Sequence, residues 1–306
     1  MKTVLPLMAT VLYATCLLAL ASCGKTPSVG SATDSASSPE ARGTTVRTNA
    51  SASPSPLCVT IMDVGKGDCI LLREGDAAAL IDTGYQSTAD DVVSRLRAQG
   101  VTRIDAMVIT HYDRDHVDGI RAIGNSVRVD TVYLPGYEGA DKNYRSCVSD
   151  VEALGVPTQR VTKETSLRLG SARLTIFPPG VAYKPGTGKV EGNDNDMSLV
   201  VTLVNGRDSY LFAGDLEDDG IAAYLAADHG QFDVLKVPHH GQHAKNTSKL
   251  LDDVRPKIAV ITDAEKDPAD KKTLKLLKSA NIQTCRTSID GTIVIESDGS
   301  GTYSVS

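Results

Sequence analysis

The sequence predicts an α/β domain in which β-sheets stack face to face and helices cover the outer faces. Three observations predict it. Short runs of apolar and β-branched residues recur through both halves of residues 57–306. Each strand-rich half is followed by segments with helical spacing. No Pro/Ser-rich break divides these residues, about 250 in all, a length that suits one large domain.

Leu57-Cys58-Val59-Thr60-Ile61-Met62-Asp63 reads as the first strand, Cys69-Ile70-Leu71-Leu72 as the second, and residues 78–84 as the third. Glycines at the two turns supply the backbone freedom such bends need. Residues 87–99 place Val92, Val93 and Leu96 on one helical face, and Gly100 closes the helix. Strands follow at 106–110 and 131–134. Residues 141–154 carry Tyr144, Cys147, Val148, Val151 and Leu154 at helical spacing, with Gly155 as the stop. The second half gives strands at 174–177, 198–204 and 209–213, a helix at 216–227 and strands at 233–237 and 257–262. A helix at 270–279 and two short strands complete it. No internal repeat has a regular period.

The chain begins Met1-Lys2 and then runs apolar to Ala21, ending Leu20-Ala21-Ser22-Cys23. A charged start, an apolar core and small residues before a break describe a secretory signal over residues 1–22. The ending resembles a bacterial lipobox, which makes Cys23 the lipidated residue and puts the protein outside the cytoplasm, held to a membrane. The alternative, an uncleaved anchor, is weakened by Pro6, Thr10 and Thr15 in a run only marginally long enough to span. Residues 23–56, rich in Ser, Thr, Ala and Pro, cannot bury enough apolar surface to offset ordering entropy and read as a disordered tether.

The formal charge of −6 argues against broad, sequence-independent coating of nucleic acid. It leaves room for a polyanionic substrate at a local cationic centre. Cys58, Cys69, Cys147 and Cys285 form no CxxC pair, so a structural zinc knuckle is not expected. The turn near Lys66 is expected to set Cys69 opposite Asp63, and no disulfide is predicted.

Thr110-His111-Tyr112-Asp113-Arg114-Asp115-His116 places two imidazoles and two carboxylates directly after an apolar strand. Groups packed this closely are costly to hold unless positive charge sits between them, which points to a metal centre. Gly214-Asp215-Leu216-Glu217 and Pro238-His239-His240-Gly241 end later strands, and Asn193-Asp194-Asn195-Asp196 precedes one. Loops at one end of a strand layer converge, which is how distant sequence builds a two-metal site. The 111–116 loop is not an EF-hand, because Val117 and Asp118 fall where an oxygen ligand and a glycine are needed. Neither a nucleophile elbow nor an exposed Cys/His pair stands out.

Thr-His-x-Asp-x-Asp-His, Gly-Asp-Leu-Glu and Leu-Lys-Val-Pro-His-His-Gly resemble the metallo-β-lactamase superfamily. The segments at 63–68, 81–84, 195–200 and 286–291 are similar to the hydrolase domain of the ComEC/Rec2 competence proteins, in the same order across residues 57–306, without their membrane channel region. The resemblance implies a four-layer αββα sandwich with one or two divalent metals at an edge between the sheets. It assigns His111 and Asp113 to the first metal, Asp115 and His116 to the second, Asp215 as the bridge and His240 as the last ligand, with His239 the competing choice. Asp113 stands where histidine is usual, and Asn195 or Asp194 falls nearest a missing histidine. Oxygen in place of nitrogen shifts preference from zinc toward manganese or magnesium.

Other readings of these residues stand beside the ligand roles. Asp113 could cap the helix after it, and Asp215 the helix at Leu216. Asn195 is a ligand, a substrate hydrogen-bond donor or a turn former. His243 reads as exposed and structural. Lys236, in an apolar strand, is expected to pair with a buried carboxylate, and Asp63, Asp68 and Asp82 to hold the loops beneath the site. Thr287 and Gly291 fit family positions or a tight strand turn.

The implied activity is hydrolysis by metal-activated water, with Asp115 orienting the water and taking its proton. The implied substrate is a phosphodiester such as nucleic acid, and DNA-uptake machinery is a candidate partner. A β-lactam, lactone or thioester hydrolase, and a non-catalytic DNA-binding module, are the alternatives.

Overall fold

The computed structural model describes residues 55–182 and 194–306. The segments read as a signal peptide and tether, with Cys23, lie outside the described residues except for residues 55 and 56. Among the described residues no helix is long and apolar enough to cross a membrane.

Two large sheets carry the fold. The first has eight strands in the order Tyr303–Val305, Ile293–Ser297, Leu57–Ile61, Ile70–Glu74, Ala77–Ile81, Ala106–Val108, Val132–Pro135, Thr158–Val161. The second has seven, in the order Gln283–Arg286, Ile258–Ile261, Val234–Lys236, Asp208–Phe212, Val200–Asn205, Ala172–Phe177, Thr165–Leu169. Each sheet is antiparallel over one half and parallel over the other.

Alternation along the strands sorts side chains into three cores. Val59, Ile61, Leu72, Ile81, Val108, Leu203, Phe212, Val260 and Ile295 point between the sheets. Leu71, Leu80, Met107 and Leu134 face the opposite way, onto helices Ala89–Ala98, Ile120–Ser126 and Lys142–Leu154. Leu211, Leu235, Ala259 and Ile261 do the same on the second sheet, under helices Asp218–Ala226, Thr247–Val254 and Lys271–Ser279. The result is the expected αββα sandwich. Truncating Leu203, fully buried between the sheets, to alanine would cost about 2–5 kcal/mol.

The helix ends follow their local chemistry. Asp141 accepts from the Tyr144 amide at 2.9 Å, and Gly155, at φ +64°, ends that helix in the left-handed region. The register of the first hairpin and the elements at the end of the chain differ from expectation. The Met62 amide bonds the Cys69 carbonyl, so Cys69 faces Met62 rather than Asp63, one residue from the predicted register. The four described cysteines are all free and buried. Three short strands, not two, close the chain, and residues 287–290 form a helical turn rather than a strand turn.

The parallel halves decide where chemistry sits. Strands ending at Ile81 and Val108 in one sheet, and at Phe212, Lys236 and Ile261 in the other, all finish at the same edge of the sandwich. Asp82, the His111–His116 loop, Asp215, His239–His240 and Thr262 follow them directly. Carboxyl ends of parallel strands are where open α/β sheets bind ligands.

Candidate metal centre

One donor atom from each of Asp115, His116, Asp215 and His240 lies within 4.8 Å of the others. His240 Nε2 is 2.9 Å from Asp215 Oδ2 and 3.3 Å from Asp115 Oδ2. His116 Nε2 is 3.3 Å from Asp215 Oδ2 and 3.9 Å from Asp115 Oδ2. The His111 ring packs 4.1 Å from that of His116, centroid to centroid. Its Nε2 lies 3.8 Å from Asp113 Oδ2. The six residues assigned by resemblance thus share one pocket, four in a tight cluster and two beside it.

Each imidazole is oriented through Nδ1. His116 Nδ1 donates to Asp82 Oδ2 at 2.8 Å. His111 Nδ1 reaches Thr110 Oγ1 at 3.1 Å, and that hydroxyl donates onward to Asp82 Oδ2 at 2.7 Å. His240 Nδ1 meets Thr262 Oγ1 at 3.0 Å, and that hydroxyl donates to Asp68 Oδ1 at 2.7 Å. Because both hydroxyl protons are committed to carboxylates, the imidazoles must donate from Nδ1. That tautomer is assigned from this network, and it leaves Nε2 as a bare lone pair. All three Nε2 atoms are buried and have no hydrogen-bond partner. Three orphaned lone pairs converging on carboxylates fit a cation and no neutral packing arrangement.

Fully buried Lys236 sets the charge beneath the cluster. Its Nζ lies 2.6 Å from Asp68 Oδ2 and 3.3 Å from Asp215 Oδ1, and donates to the Gly214 carbonyl at 3.1 Å. Burial disfavours its charge, but Asp68 and Asp215 outweigh that and raise its pKa. Burial likewise opposes ionisation of Asp215, yet His240, His116 and Lys236 hold its carboxyl well below the usual range. Asp115 is lowered against the same burial penalty by His240 and His116. Its side chain is 18 % exposed while those of His116, Asp215 and His240 are at most 3 %, so Asp115 forms the mouth of the cluster. Gly67 lets its loop close on this point, since a Cβ there would sit 2.7 Å from the Asp115 carbonyl oxygen.

Asp113 occupies the N-cap position of helix Arg114–Val117, but its side chain makes no capping bond. The neighbouring His111 imidazole lowers its pKa, with burial opposing. Asp215 is not a cap either. Glu217 is the N-cap residue of helix Asp218–Ala226, and Asp196 Oδ1 accepts the Glu217 and Gly220 amides, both at 2.8 Å. Asp63 Oδ1 accepts the Gly65 amide at 3.1 Å and shapes the loop under the site. Thr287 donates to the Asp263 carbonyl at 3.0 Å, and Gly291, at φ +71°, ends that helical turn.

His239 and Asn195 fall outside the four-donor cluster. His239 Nδ1 pairs with Glu217 Oε1 at 3.0 Å, and Asn195 Nδ2 donates to that same oxygen at 2.9 Å. His243, half-buried rather than exposed, lines a cavity of about 210 Å³ with His239 and Glu217. Asp194 accepts from the Tyr137 hydroxyl, and burial is the chief cause of its raised pKa. Sequence reasoning missed Thr110 and Thr262 as relays. Their signal was available, because each stands at the carboxyl end of a parallel strand.

The sequence profile of the Metallo-beta-lactamase superfamily matches residues 62–262. The chain is 26% identical over 271 residues to ComE operon protein 3 of Bacillus subtilis (strain 168), covering 81% of this chain and 34% of that protein. It is 26% identical over 245 residues to competence protein ComA of Neisseria gonorrhoeae, covering 77% and 31%. The chain spans about a third of the length of these curated relatives. Among solved structures, Tm1679, described as a metal-dependent hydrolase of the beta-lactamase superfamily, matches at a TM-score of 0.52 and 15% identity over 77% of this chain and 97% of its own. YhfI of Bacillus subtilis, a metallo-beta-lactamase fold protein, matches at 0.50 and 12% over 76% and 96%. These two likenesses show the fold. With residues 62–262 inside the family match, the chain belongs to the metallo-beta-lactamase superfamily of metal-dependent hydrolases, and within it is related to the competence proteins.

Proposed function

We propose that the protein is a metal-dependent phosphodiesterase, acting on nucleic acid outside the cytoplasm while tethered by lipidated Cys23. The observation that carries the reading is the donor set. His116 and His240 bring two nitrogens against the oxygens of Asp115 and Asp215, and the adjoining pair His111 and Asp113 adds one of each. Three carboxylates beside three imidazoles suit manganese or magnesium as well as zinc, and such ions act on phosphodiesters. The relation to competence proteins supports the same substrate class, and DNA-uptake machinery is the partner it suggests.

A divalent cation held by these residues supplies Lewis acidity and a water that ionises near neutral pH. The chain's own groups do the remainder. Asp115, at the mouth, would orient the attacking water by accepting its hydrogen bond and would take its proton on the carboxylate. Asp82, Thr110, Thr262 and Asp68 keep the three imidazoles fixed, so little reorganisation is needed as charge develops. Lys236 keeps Asp215 ionised.

The test is cleavage of single- and double-stranded DNA by the full chain with manganese, magnesium or zinc, beside Asp115→Ala. Metal-dependent cleavage lost in the variant is expected. Absence of any metal-dependent phosphodiester cleavage, with turnover of a chromogenic cephalosporin instead, would overturn the reading.

A further inference from the structure

A cavity lies away from the metal centre. It has a volume of about 700 Å³ and is lined by Arg73, Arg103, Arg128, Gln99, Thr102 and Asp76, together with glycine backbone. It sits at the opposite end of the first sheet. Strand Ala77–Ile81 begins beside it, with Ala78 in its wall, and ends at Asp82, the carboxylate that orients His116. At about 3.3 Å per residue, those four steps span roughly 13 Å.

Arg73 is half-buried, yet no carboxylate pairs with it among the described residues. Its Nη1 makes one long bond, 3.3 Å, to the Gly75 carbonyl, and its buried Nε has no acceptor. Arg103 and Arg128 stand directly opposite one another in a short parallel pair, an unfavourable placement for like charges. Asp130 makes it tolerable, accepting from Arg128 Nε at 2.7 Å and lying 3.5 Å from Arg103 Nε, while Asp105 holds Arg103 Nη2 at 2.5 Å. These acids engage only part of each guanidinium fork. A fork carries five donors, so both retain N–H groups for another acceptor. Asp76 also lines the opening, and Asp105 and Asp130 partly neutralise two of the arginines, so it is the spare N–H groups, above all those of Arg73, that make a local site for an oxyanion.

We propose that this arginine-lined cavity binds a backbone phosphate of the same nucleic-acid strand that the metal centre cleaves. The inference rests on the phosphodiesterase reading for the strand's identity. Phosphates on one strand are about 3.4 Å apart along a duplex axis, so a duplex strand covers about 13 Å in about four nucleotides. The substrate is therefore a polymer, and the cavity anchors it without contributing to bond cleavage. Arg73, which has no acid partner among the described residues, carries the contact that is easiest to remove.

The experiment measures binding separately from turnover. Full-length Asp115→Ala protein, and the same protein carrying Arg73→Gln, are titrated with a fluorescent 20-nucleotide single strand and with a dinucleotide across 50–200 mM salt. Arg73→Gln is expected to weaken the long strand several-fold and to reduce the slope of log K against log salt by about 1, the signature of one lost phosphate contact. The dinucleotide should be unaffected. Unchanged long-strand affinity and slope in the variant would overturn the proposal. So would equal loss for both ligands, which would place Arg73 at the metal centre. Should Arg73→Gln lose its fold by thermal melting, Arg128→Gln carries the same test, because that side chain is 74 % exposed. A third arm uses vesicles with and without anionic phospholipid. Arg73-dependent binding to anionic vesicles but not to DNA assigns the cavity to lipid headgroups and overturns the nucleic-acid assignment. If the 20-mer binds as expected but the Asp115 enzyme cleaves no phosphodiester, the phosphodiesterase reading fails while the anion site stands.

Discussion

Thr262→Val is the sharpest test of how the centre is held. The side chain keeps its shape and loses one oxygen. That oxygen takes the His240 Nδ1 proton at 3.0 Å and gives its own to Asp68 Oδ1 at 2.7 Å, and both partners are fully buried. An unmade buried hydrogen bond costs about 1–3 kcal/mol, more where a charge is involved. Two such losses give about 2–6 kcal/mol of global stability, although Asp68 retains Lys236 at 2.6 Å. The functional effect is separable from the stability loss. Without the hydroxyl, His240 is no longer held with Nε2 bare, and losing such an outer partner typically lowers metal affinity 10–100-fold. In free energy that is about 1.4–2.7 kcal/mol. Competition against a chelating dye for manganese and zinc, on protein verified as folded by circular dichroism, reads the affinity, and urea unfolding reads the stability. Thr262→Ser should restore both. Metal affinity of the valine variant within twofold of the parent would refute the relay.

Further predictions separate neighbouring roles. His240→Ala should abolish tight metal binding, whereas His239→Ala, which loses the 3.0 Å contact with Glu217 at a partly exposed site, should change metal affinity less than threefold. Comparable losses in the two would show that the cluster has been assigned to the wrong imidazole. Lys236→Met strands Asp68 and Asp215 in the interior and should cost about 3–5 kcal/mol in urea unfolding, the penalty for breaking a buried ion pair. A loss under 1 kcal/mol would mean that the carboxylates find other cations. Asp263 accepts from Ser288 at 2.7 Å and from the Ala269 amide at 2.9 Å, and it pairs with Arg286. Burial opposes its ionisation, but Arg286, Ser288 and Ala269 win and lower its pKa. The unfolded carboxyl titrates near 3.8, so this contribution is complete above that pH and is lost as pH falls through the lower folded value. Asp263→Asn should accordingly flatten the acid limb of the stability curve, and parallel acid limbs would contradict the assignment.

The sequence made the sandwich legible because its central strands are short apolar runs, as strands covered on both faces must be. Which face each residue takes was set only by the fold: Ile61, Leu72 and Ile81 point between the sheets while Leu71 and Leu80 face the helices. Thr158–Val161 and Thr165–Leu169 were not legible, since edge strands exposed to water carry Thr, Gln, Ser and Arg in place of an apolar face. Helix Thr247–Val254 was hidden for a different reason. Its Leu250, Leu251 and Val254 make a short stripe within eight residues, with no side-chain cap to announce it. At the centre, residue types announced ligands but not which of two adjacent histidines serves. That choice depends on the backbone. His239 and His240 both take the left-handed conformation, φ +46° and +52°, which costs non-glycine residues about 1–3 kcal/mol each. The strain turns one ring to the Glu217 side and the other inward, and sequence offset alone carries no such information.

The buried charges explain why such strain is tolerated. Asp82 satisfies its oxygens with Thr110 N–H, Thr110 O–H and His116 Nδ1–H, and Asp68 with Thr262 and Lys236. Both are closed off, which suits supports rather than ligands. Asp215 differs. Its Oδ1 faces Lys236, but its Oδ2 faces the Nε2 atoms of His116 and His240 at 3.3 and 2.9 Å, whose protons the network places on the far nitrogens. Lone pair against anion, away from water, is repulsive, and no rearrangement of the fixed Nδ1 partners relieves it. Only positive charge at the shared point does so: either protons taken up on these imidazoles, whose pKa values are raised by Asp215 against burial, or a divalent ion that displaces those protons. The αL turn at residues 239–240, the relays through Thr110 and Thr262, and the buried lysine therefore serve one requirement, a cation-shaped gap in a network otherwise fully paired.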